Sequence, residues 1–365
     1  MFNSIRNYII NYKGYKTDRK LVVFLVDDYG SILNPSDEVL QKLKVFSPII
    51  SENRFNKFDD IASANDLNNL FEVLISVKDK NNNPAVFTPL TVVANPDFDK
   101  IKNDNFQNYH YESFYQTIDK KEDGKEIKAL WENGIRQKIF MPEFHGREHF
   151  NVRFWMDYLR SKDKNVLEAF LNKSIGIRPA NKDGIGYMAA FDLVSSDHLK
   201  ELEGIVQDGL NLFEKLFGYR AVLFTPPGLL HNDGLNNNLK KNGISFIDMA
   251  RLRKEPDLKG RYKKRYHYMG QKNKFGQQYL TRNVMFEPNM NANDWVGRAM
   301  NEISVAFQYK KPAIISSHRV NFVGGKSLSN RDKGLKDLKD LLSQIVKRWP
   351  DVEFMAVRDL TKLLK

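Results

Sequence analysis

Two adjacent carboxylates, Asp27 and Asp28, come directly after the apolar run Leu21–Val26. The run is short and rich in valine and aromatic residues, which is typical of a buried parallel strand. Charged groups buried without a partner are costly, so two carboxylates at the end of such a strand need a physical reason. A bound cation is one reason, and a solvated turn that continues into Gly30 is the other.

Two histidines four residues apart, His145 and His149, follow the run Lys138–Met141. On a helical turn, residues at this spacing lie on one face, where both imidazoles could bind one metal ion. The pattern is not the H-E-x-x-H of zinc proteases, because the glutamate here is Glu148. A chance pair is the alternative, since the chain has seven histidines. It has no cysteine, which leaves His, Asp and Glu as possible metal ligands.

His318 lies just beyond the apolar run Ala313–Ser316, and the segment Thr225-Pro226-Pro227-Gly228 lies at the end of the run Ala221–Thr225. Taken alone, the histidine could be a packed residue and the proline-rich segment a rigid turn. Both nevertheless occupy the same kind of position as the carboxylates, the end of a predicted strand.

Strands and helices alternate along the chain. Further strands are predicted over Ala85–Val93, Ile244–Ile247 and Val352–Met355. Helical spacing of apolar residues predicts helices over Ser196–Phe217, 294–308 and 335–346, and Gly176–Asp192 is predicted to be a long surface loop. Repeated β–α units of this kind predict an α/β fold with a parallel sheet, either closed into a barrel or doubly wound.

A parallel barrel would bring the motifs together, because the carboxyl ends of its strands meet on one face. Asp28, His145 and His149 would then form a two-histidine, one-carboxylate metal site with open positions for water and substrate. The combination favours a metal-dependent hydrolase.

At this point the sequence resembles the polysaccharide deacetylase family, the metal-dependent enzymes of carbohydrate esterase family 4, as a divergent branch. Five of the family's motifs occur in the family's order, as Asp27-Asp28, His145…His149, Thr225-Pro226-Pro227-Gly228, Asp294-Trp295 and His318. Trp131…Gly134, just upstream of the histidine pair, also resembles the family's pattern. The match spans about Leu21 to His318. It implies a distorted (β/α)7 barrel, with 1–365 as a single domain and 1–20 as a basic N-terminal extension.

The resemblance also implies roles for the motif residues. Asp27 would be the general base, His318 the general acid, and Asp28, His145 and His149 the ligands of a divalent metal, Zn²⁺ first and Co²⁺, Ni²⁺ or Fe²⁺ as alternatives. The implied supporting residues are Thr225, Pro226 and Gly228 near the substrate, Asp294 as the residue that tunes His318, and Trp295 as a wall of the pocket.

The sequence departs from the family pattern in four places. Tyr29 separates the second aspartate from the glycine, Gly146 replaces a Ser or Thr, and Asn291 stands where an additional aspartate is frequent. Thr225 takes the place of the arginine that orients the base. The substitutes considered for that arginine are Arg153, Arg220 and Arg319.

The implied activity is removal of an acetyl or other acyl group from a carbohydrate. One alternative is a glycoside hydrolase on a related barrel, which needs two carboxylates and could use Asp27 and Asp294. The other is a non-catalytic protein that binds a glycan or polyanion through the basic segment Arg251–Lys274. The formal charge of +12 favours an anionic partner such as an acidic glycan, and no nucleic-acid motif accompanies it. The sequence shows no signal peptide or membrane span, from which we expect a cytoplasmic protein. That location would point to an activated or lipid-linked sugar.

Overall fold

A mainly parallel β-sheet forms the centre of the structure. The computed structural model describes residues 2–291 and 293–364. Its strands are β1 (Lys20–Tyr29), β2 (Phe87–Val92), β3 (Ala94–Pro96), β4 (Tyr111–Ser113), β5 (Glu143–Gly146), β6 (Leu223–Phe224), β7 (Phe246–Asp248), β8 (Leu252–Pro256), β9 (Tyr262–Tyr266), β10 (Gln278–Leu280), β11 (Val284–Met285), β12 (Ala313–His318) and β13 (Val352–Phe354).

Helices follow most of these strands and cover the outside of the sheet. They are α1 (Phe2–Tyr12), α2 (Asp37–Leu43), α3 (Arg54–Phe58), α4 (Ala64–Ser76), α5 (Phe98–Asn103), α6 (Phe114–Ile118), α7 (Gly124–Arg136), α8 (Val152–Arg160), α9 (Lys164–Leu171), α10 (Ser196–Phe217), α11 (Asn236–Lys241), α12 (Trp295–Gln308), α13 (Leu328–Arg348) and α14 (Val357–Leu363). Short 3₁₀ turns lie at Pro48–Ser51, Pro227–Leu229, Asp233–Leu235 and Arg319–Asn321.

The strand order closes a ring. β1, β2, β5, β6, β7 and β10 are neighbours in that order, and β11 and β12 lead back to β1. Only Thr281, Arg282 and Asn283 separate β10 from β11, and these two strands are parallel to β7 and β12 respectively. They are therefore two halves of one bent strand. With β10 and β11 counted as one strand, the described part of the chain forms a ring of seven parallel strands. The predicted α/β barrel of the (β/α)7 type is confirmed.

Apolar residues of β1 pack on both sides of the sheet. Leu21, Val23 and Leu25 belong to a cluster with side chains of the other ring strands, whereas Phe24 belongs to the larger cluster that includes the helices. All four are fully buried. A strand covered on both faces must be apolar at nearly every position, which explains the unbroken run that precedes Asp27.

Most predicted elements are present, and one is misplaced. Helix α10 has the predicted bounds, and α13 contains the predicted stripe. The run Lys138–Met141 is not a strand, however. Strand β5 begins at Glu143, after Pro142, and contains His145 itself.

The predicted loop Gly176–Asp192 contains no helix or strand, but it is not a surface loop throughout. Residues at its two ends are buried, including Ile177 and Phe191, while its middle is exposed.

The N-terminal segment packs against the barrel beside the bent strand. Helix α1 contacts α12 through the rings of Tyr8 and Tyr309, whose centres are 5.8 Å apart. Asn283 Nδ2 donates a hydrogen bond of 2.8 Å to Asn11 Oδ1. The basic segment Arg251–Lys274 contains the antiparallel hairpin of β8 and β9. Among the described residues, no helix combines the length and apolar character needed to cross a membrane.

Candidate metal centre and acid–base site

A bulge at the end of β1 presents both aspartates to one cavity. The register between β1 and β2 shifts between Val26 and Tyr29, and Asp28 has a φ of 74°. Adjacent side chains of a regular strand point to opposite faces, whereas a bulge redirects one of them. Asp27 and Asp28 accordingly line the same cavity. The left-handed backbone of a non-glycine residue costs about 1 kcal/mol or more, which is typical of a functional position.

Asp28, His145 and His149 form a candidate metal site. Their ligand atoms all lie within 4.8 Å of one another. Asp28 Oδ1 is 2.8 Å from His149 Nε2 and 3.6 Å from His145 Nε2. Two atoms bound to one ion at about 2.1 Å are roughly 3.0–3.5 Å apart, so the three residues fit a divalent ion.

The spacing of the two histidines predicts a helical turn, but the histidines do not lie on one. His145 lies in β5 and His149 in the bend that follows it. Gly146 between them has a φ of 129°, and a Cβ there would be 2.9 Å from the carbonyl oxygen of Glu148. This glycine allows the chain to turn so that His149 comes back beside His145, with ring centres 5.1 Å apart.

Hydrogen bonding prepares His145 to bind a metal. Its Nδ1 is 2.7 Å from the carbonyl oxygen of Thr225. A carbonyl can only accept, so Nδ1 carries the hydrogen and Nε2 presents a lone pair. That Nε2 is buried and has no hydrogen-bond partner among the described residues. Burial raises the pKa of Asp28, but the neighbouring His149 and His145 outweigh it and hold the pKa well below its ordinary value.

An arginine from the bend between β10 and β11 holds Asp27. Arg282 donates from Nη2 to Asp27 Oδ1 at 2.7 Å and from Nη1 to Asp27 Oδ2 at 2.5 Å. On its other side, Arg282 contacts Asp248 at 2.6 Å. Burial raises the pKa of Asp27, but the charge and hydrogen bonds of Arg282 outweigh this effect, and the pKa lies below its ordinary value.

Arg282 therefore holds Asp27, which is the contact predicted for Arg153, Arg220 or Arg319. Arg153 pairs with Glu201 and Arg220 with Glu214, both at the surface. Arg319 is buried, but it donates to Asp59, Oδ1 at 3.0 Å and Oδ2 at 2.8 Å. These three predictions were wrong because each arginine has a nearer carboxylate partner.

His318 is oriented by Glu287. Its Nδ1 is 2.5 Å from Glu287 Oε1, and its Nε2 is 3.6 Å from Asp27 Oδ2. Arg54 and Asn321 hold the second oxygen of Glu287, at 2.5 and 2.8 Å. Burial lowers the pKa of His318, but Glu287 outweighs burial and raises the pKa to about 9. The imidazole is thus protonated at neutral pH, with Nε2–H facing Asp27.

The predicted Asp-Trp motif does not reach this site. Asp294 is exposed and caps helix α12, where its Oδ1 accepts from the Gly297 N–H at 2.8 Å. Trp295 is buried in the core, and its Nε1 donates to Asn291 Oδ1 at 3.1 Å. The roles predicted for them, tuning His318 and lining the pocket, were wrong, because Glu287 is the partner of His318.

The candidate metal site, Asp27 and His318 surround one open cavity of about 370 Å³, which we name the catalytic cavity. Thr225, Pro226 and Gly228, the residues predicted to lie near the substrate, are among those that line it. Arg178 and Met188 of the loop 176–192 line it too, and Arg178 Nε is buried without a hydrogen-bond partner in the described structure.

The sequence interpretation missed Arg282, Asp248 and Glu287. Asp248 directly follows the predicted strand Ile244–Ile247, and Glu287 follows the apolar residues Val284–Phe286. The signal that identified Asp27, a charged residue at the end of an apolar run, was present for both. Arg282 had no such signal, because it lies within a strand rather than after one.

No known protein-family model matches the chain, and no curated protein sequence matches it. Solved structures of similar fold include a probable polysaccharide deacetylase from Pseudomonas aeruginosa, at 10% identity over 94% of this chain and 91% of that one, with a TM-score of 0.45. A CE4 family pseudoenzyme from Bacillus anthracis has 11% identity over 95% of this chain and 66% of that one, with a TM-score of 0.38. A 4-alpha-glucanotransferase from Thermococcus litoralis has 9% identity over 94% of this chain but 40% of its own, with a TM-score of 0.46.

Proposed function

We propose that this protein is a metal-dependent hydrolase that removes an acetyl or other acyl group from a carbohydrate. The observation that carries the proposal is the placement of an ionised carboxylate, Asp27, and a protonated imidazole, His318, beside the Asp28, His145 and His149 cluster. The carbohydrate part of the proposal is supported by the resemblance of the ordered motifs to those of polysaccharide deacetylases.

Asp28, His145 and His149 would hold the metal, with Zn²⁺ preferred for this ligand set and Co²⁺, Ni²⁺ or Fe²⁺ as alternatives. When bound, such an ion polarises an acyl carbonyl and lowers the pKa of water towards about 7. The orphaned lone pair of His145 Nε2 and the ionised Asp28 are what an ion of this kind requires.

Asp27 and His318 would divide the proton transfers between them. Arg282 occupies one lone pair of each Asp27 oxygen and leaves others available to accept the proton of an attacking water. His318 Nε2–H would donate to the leaving nitrogen or oxygen of the sugar. One group ready to accept and one ready to donate at the same pH is the arrangement that general acid–base catalysis needs.

The turn after β6 would contribute a donor to the developing oxyanion. Pro226 and Pro227 have no N–H, and the N–H of Leu229 is donated to the Pro226 carbonyl at 2.8 Å. Gly228, which lines the catalytic cavity, is the remaining residue of this turn with an N–H to offer.

Arg178 supports an anionic sugar as substrate. Burial lowers the pKa of its guanidinium, and the contact from Nη2 to Asn56 Oδ1 at 3.2 Å is to a neutral amide. A substrate carboxylate or phosphate would supply the charged partner that this arginine lacks among its hydrogen bonds.

A release assay tests the proposal. Protein stripped of metal and protein reloaded with Zn²⁺ would be incubated with N-acetylated and O-acetylated sugars, acidic ones included, and free acetate measured. We expect acetate release by the reloaded protein alone.

Cleavage of aryl glycosides without acetate release would favour the glycosidase alternative, although the exposed position of Asp294 removes the carboxylate predicted for it. Salt-sensitive binding to the hairpin of β8 and β9, without turnover, would favour the binding-protein alternative.

Replacing Glu287 with glutamine is expected to move the alkaline limit of activity downwards. His318 must be protonated to act as an acid, so activity is lost as pH rises through its pKa, which is about 9 with Glu287 in place. Without that negative charge, the pKa returns towards about 6.5. The pH profile of kcat/KM measures the change, which at pH 8 amounts to a loss of about tenfold or more. Glu302→Gln is the control, because Glu302 is buried on the neighbouring helix and accepts from the Met285 N–H. An unchanged alkaline limit in Glu287→Gln would contradict the role of His318.

A further inference from the structure

A second cavity, of about 690 Å³, opens beside the catalytic cavity, and we name it the side cavity. It lies over the bend between β10 and β11, bounded by helix α1 and by the base of the hairpin. Its apolar lining consists of Ile9, Ile10, Met249, Leu252, Val284 and Met285. No step of the proposed reaction uses these side chains.

The two cavities border each other at Arg282, the residue that holds the proposed base, Asp27. Leu229, Arg282 and Ser316 line both of them. Arg282 binds both oxygens of Asp27, and its Nη1 also donates to Ser316 Oγ at 3.0 Å. His318, which would protonate the leaving group, lines the catalytic cavity only. The side cavity therefore borders the catalytic cavity on the side where Arg282 holds Asp27, and His318 is not part of that border.

We propose that the side cavity binds the hydrocarbon chain of the acyl group, and that the substrate carries an acyl chain longer than acetyl. This inference rests on the proposed function. An acyl carbon beside Asp27 has two substituents other than its oxygen, the leaving group and the chain. Because the leaving group must face His318, the chain is left to enter the side cavity. The reaction balances as hydrolysis: water supplies the hydroxyl of the released carboxylic acid and the hydrogen of the sugar amine or hydroxyl.

The mouth of the side cavity carries apolar side chains in contact with water. Ile9, Leu252 and Tyr266 are 50%, 48% and 66% exposed. Exposed apolar surface that borders a cavity is typical of a site that binds an apolar group. Burying a chain against these side chains removes apolar surface from water on both partners, which favours binding.

Binding of the released acids tests the inference without turnover. Sodium octanoate and sodium acetate share a carboxylate, so a difference in their dissociation constants with the metal-loaded protein reports on the chain alone. Calorimetry is expected to show octanoate binding at least about 100-fold more tightly, since octanoate has six further methylene groups and each buried one favours binding by up to about fourfold. Equal affinities would overturn the inference.

Two leucines of the hairpin provide a matched pair of variants. Leu252→Asp places a charge in the lining of the side cavity, whereas Leu258→Asp changes a leucine of similar exposure, 45%, in the turn between β8 and β9. Leu252→Asp is expected to weaken octanoate binding about tenfold and to leave acetate binding unchanged, and Leu258→Asp to change neither. Equal losses in both variants, or no loss in Leu252→Asp, would overturn the inference.

Turnover of two substrate pairs identifies which chain is bound. N-octanoylglucosamine is expected to have a higher kcat/KM than N-acetylglucosamine, and this preference should disappear in Leu252→Asp. Octyl and methyl glycosides of N-acetylglucosamine form the second pair. A higher kcat/KM for the octyl than for the methyl glycoside, without a preference for the octanoyl group, would mean that the side cavity binds the glycoside chain rather than the acyl chain, and would overturn the inference. Acetate release without any effect of chain length would overturn the inference and leave the proposed function standing. Tight octanoate binding without hydrolysis of any acyl sugar would overturn the proposed function, and the inference with it, and would leave the side cavity as a binding site for a hydrocarbon chain.

Discussion

Asp27→Asn is expected to lower turnover by about 10²–10⁴-fold while the protein keeps its metal. Asparagine preserves the shape of the side chain but cannot accept the proton of an attacking water, and loss of a general base costs about 10²–10⁴-fold. The metal should remain because Asp28, His145 and His149 are unchanged. Steady-state kinetics and metal analysis of the same preparation measure the two quantities, and loss of metal would mean that Asp27 is a ligand rather than the base.

Stability has to be separated from chemistry in this variant, because Asp27 is also half of a buried ion pair. Arg282 retains Asp248 as a partner, so we expect the free energy of unfolding to fall by about 1–3 kcal/mol rather than more. Asp59→Asn is the matched control, since Asp59 forms a buried pair with Arg319 and lines the same cavity. It should lose at least as much stability, because the described hydrogen bonds of Arg319 include no second carboxylate, with turnover within about tenfold of the parent. A similar collapse of turnover in both variants would indicate a general effect of disrupting buried ion pairs.

The stability of the Asp27 pair also has a defined pH dependence. The pKa of Asp27 in the folded protein lies below its ordinary value, so the pair stabilises the fold above the ordinary pKa of about 4 and loses this contribution as pH falls through the lowered value. The free energy of unfolding of Asp27→Asn, measured as pH falls, should accordingly lack the decrease that protonation of Asp27 causes in the parent protein.

The barrel and the residues of the candidate site that follow its strands were predictable because they follow from local patterns. A strand buried on both faces must be apolar throughout, and the carboxyl ends of parallel strands meet on one face. The apolar runs that identify buried strands are Leu21–Val26 and Ala313–Ser316. The side chains expected on the common face, at the ends of these runs, are Asp27 and His318. The prediction was less accurate for His145, where Pro142 delays the start of the strand and Gly146 turns the chain.

The supporting charges were less predictable, because they depend on distances between strands that are remote in sequence. Arg282 is 255 residues from Asp27 and 34 from Asp248. It reaches them because the strand bends at residues 281–283 and places a long side chain in the ring. The local pattern would favour Arg319, which follows strand β12, but Arg319 contacts Asp59 instead. Partner choice among arginines is settled by packing geometry, which the sequence does not display.

The charges around Asp28 support the proposed metal site. Asp27, Asp28 and Asp248 are all buried, and Arg282 is shared between the first and the last of them. His318 is already paired with Glu287, which in turn has Arg54. Asp28 contacts the imidazoles of His145 and His149, and a divalent ion bound there would place positive charge directly beside its carboxylate. The buried carboxylates therefore favour occupation of the metal site in the folded protein.

His145→Ala/His149→Ala is expected to remove the metal and all measurable turnover. The unmodified protein should contain about one equivalent of transition metal, and the double variant should contain none, because Asp28 alone cannot hold the ion. Elemental analysis measures this directly. Adding Zn²⁺ to stripped protein should raise the melting temperature of the parent, since an ion that binds only the folded state stabilises it by RT ln(1 + [Zn²⁺]/Kd).

A buried histidine outside the cluster serves as the control for this variant. His198 is buried in helix α10, where burial lowers its pKa to about 4, and it contacts the ring of Phe154. His198→Ala should lose stability yet keep both the metal and the Zn²⁺-dependent rise in melting temperature. A parent protein that takes up no metal after supplementation would refute the hydrolase, because neither Asp27 nor His318 could then act on an activated water. Metal retained by the double variant would instead place the ion elsewhere and separate it from the acid–base pair.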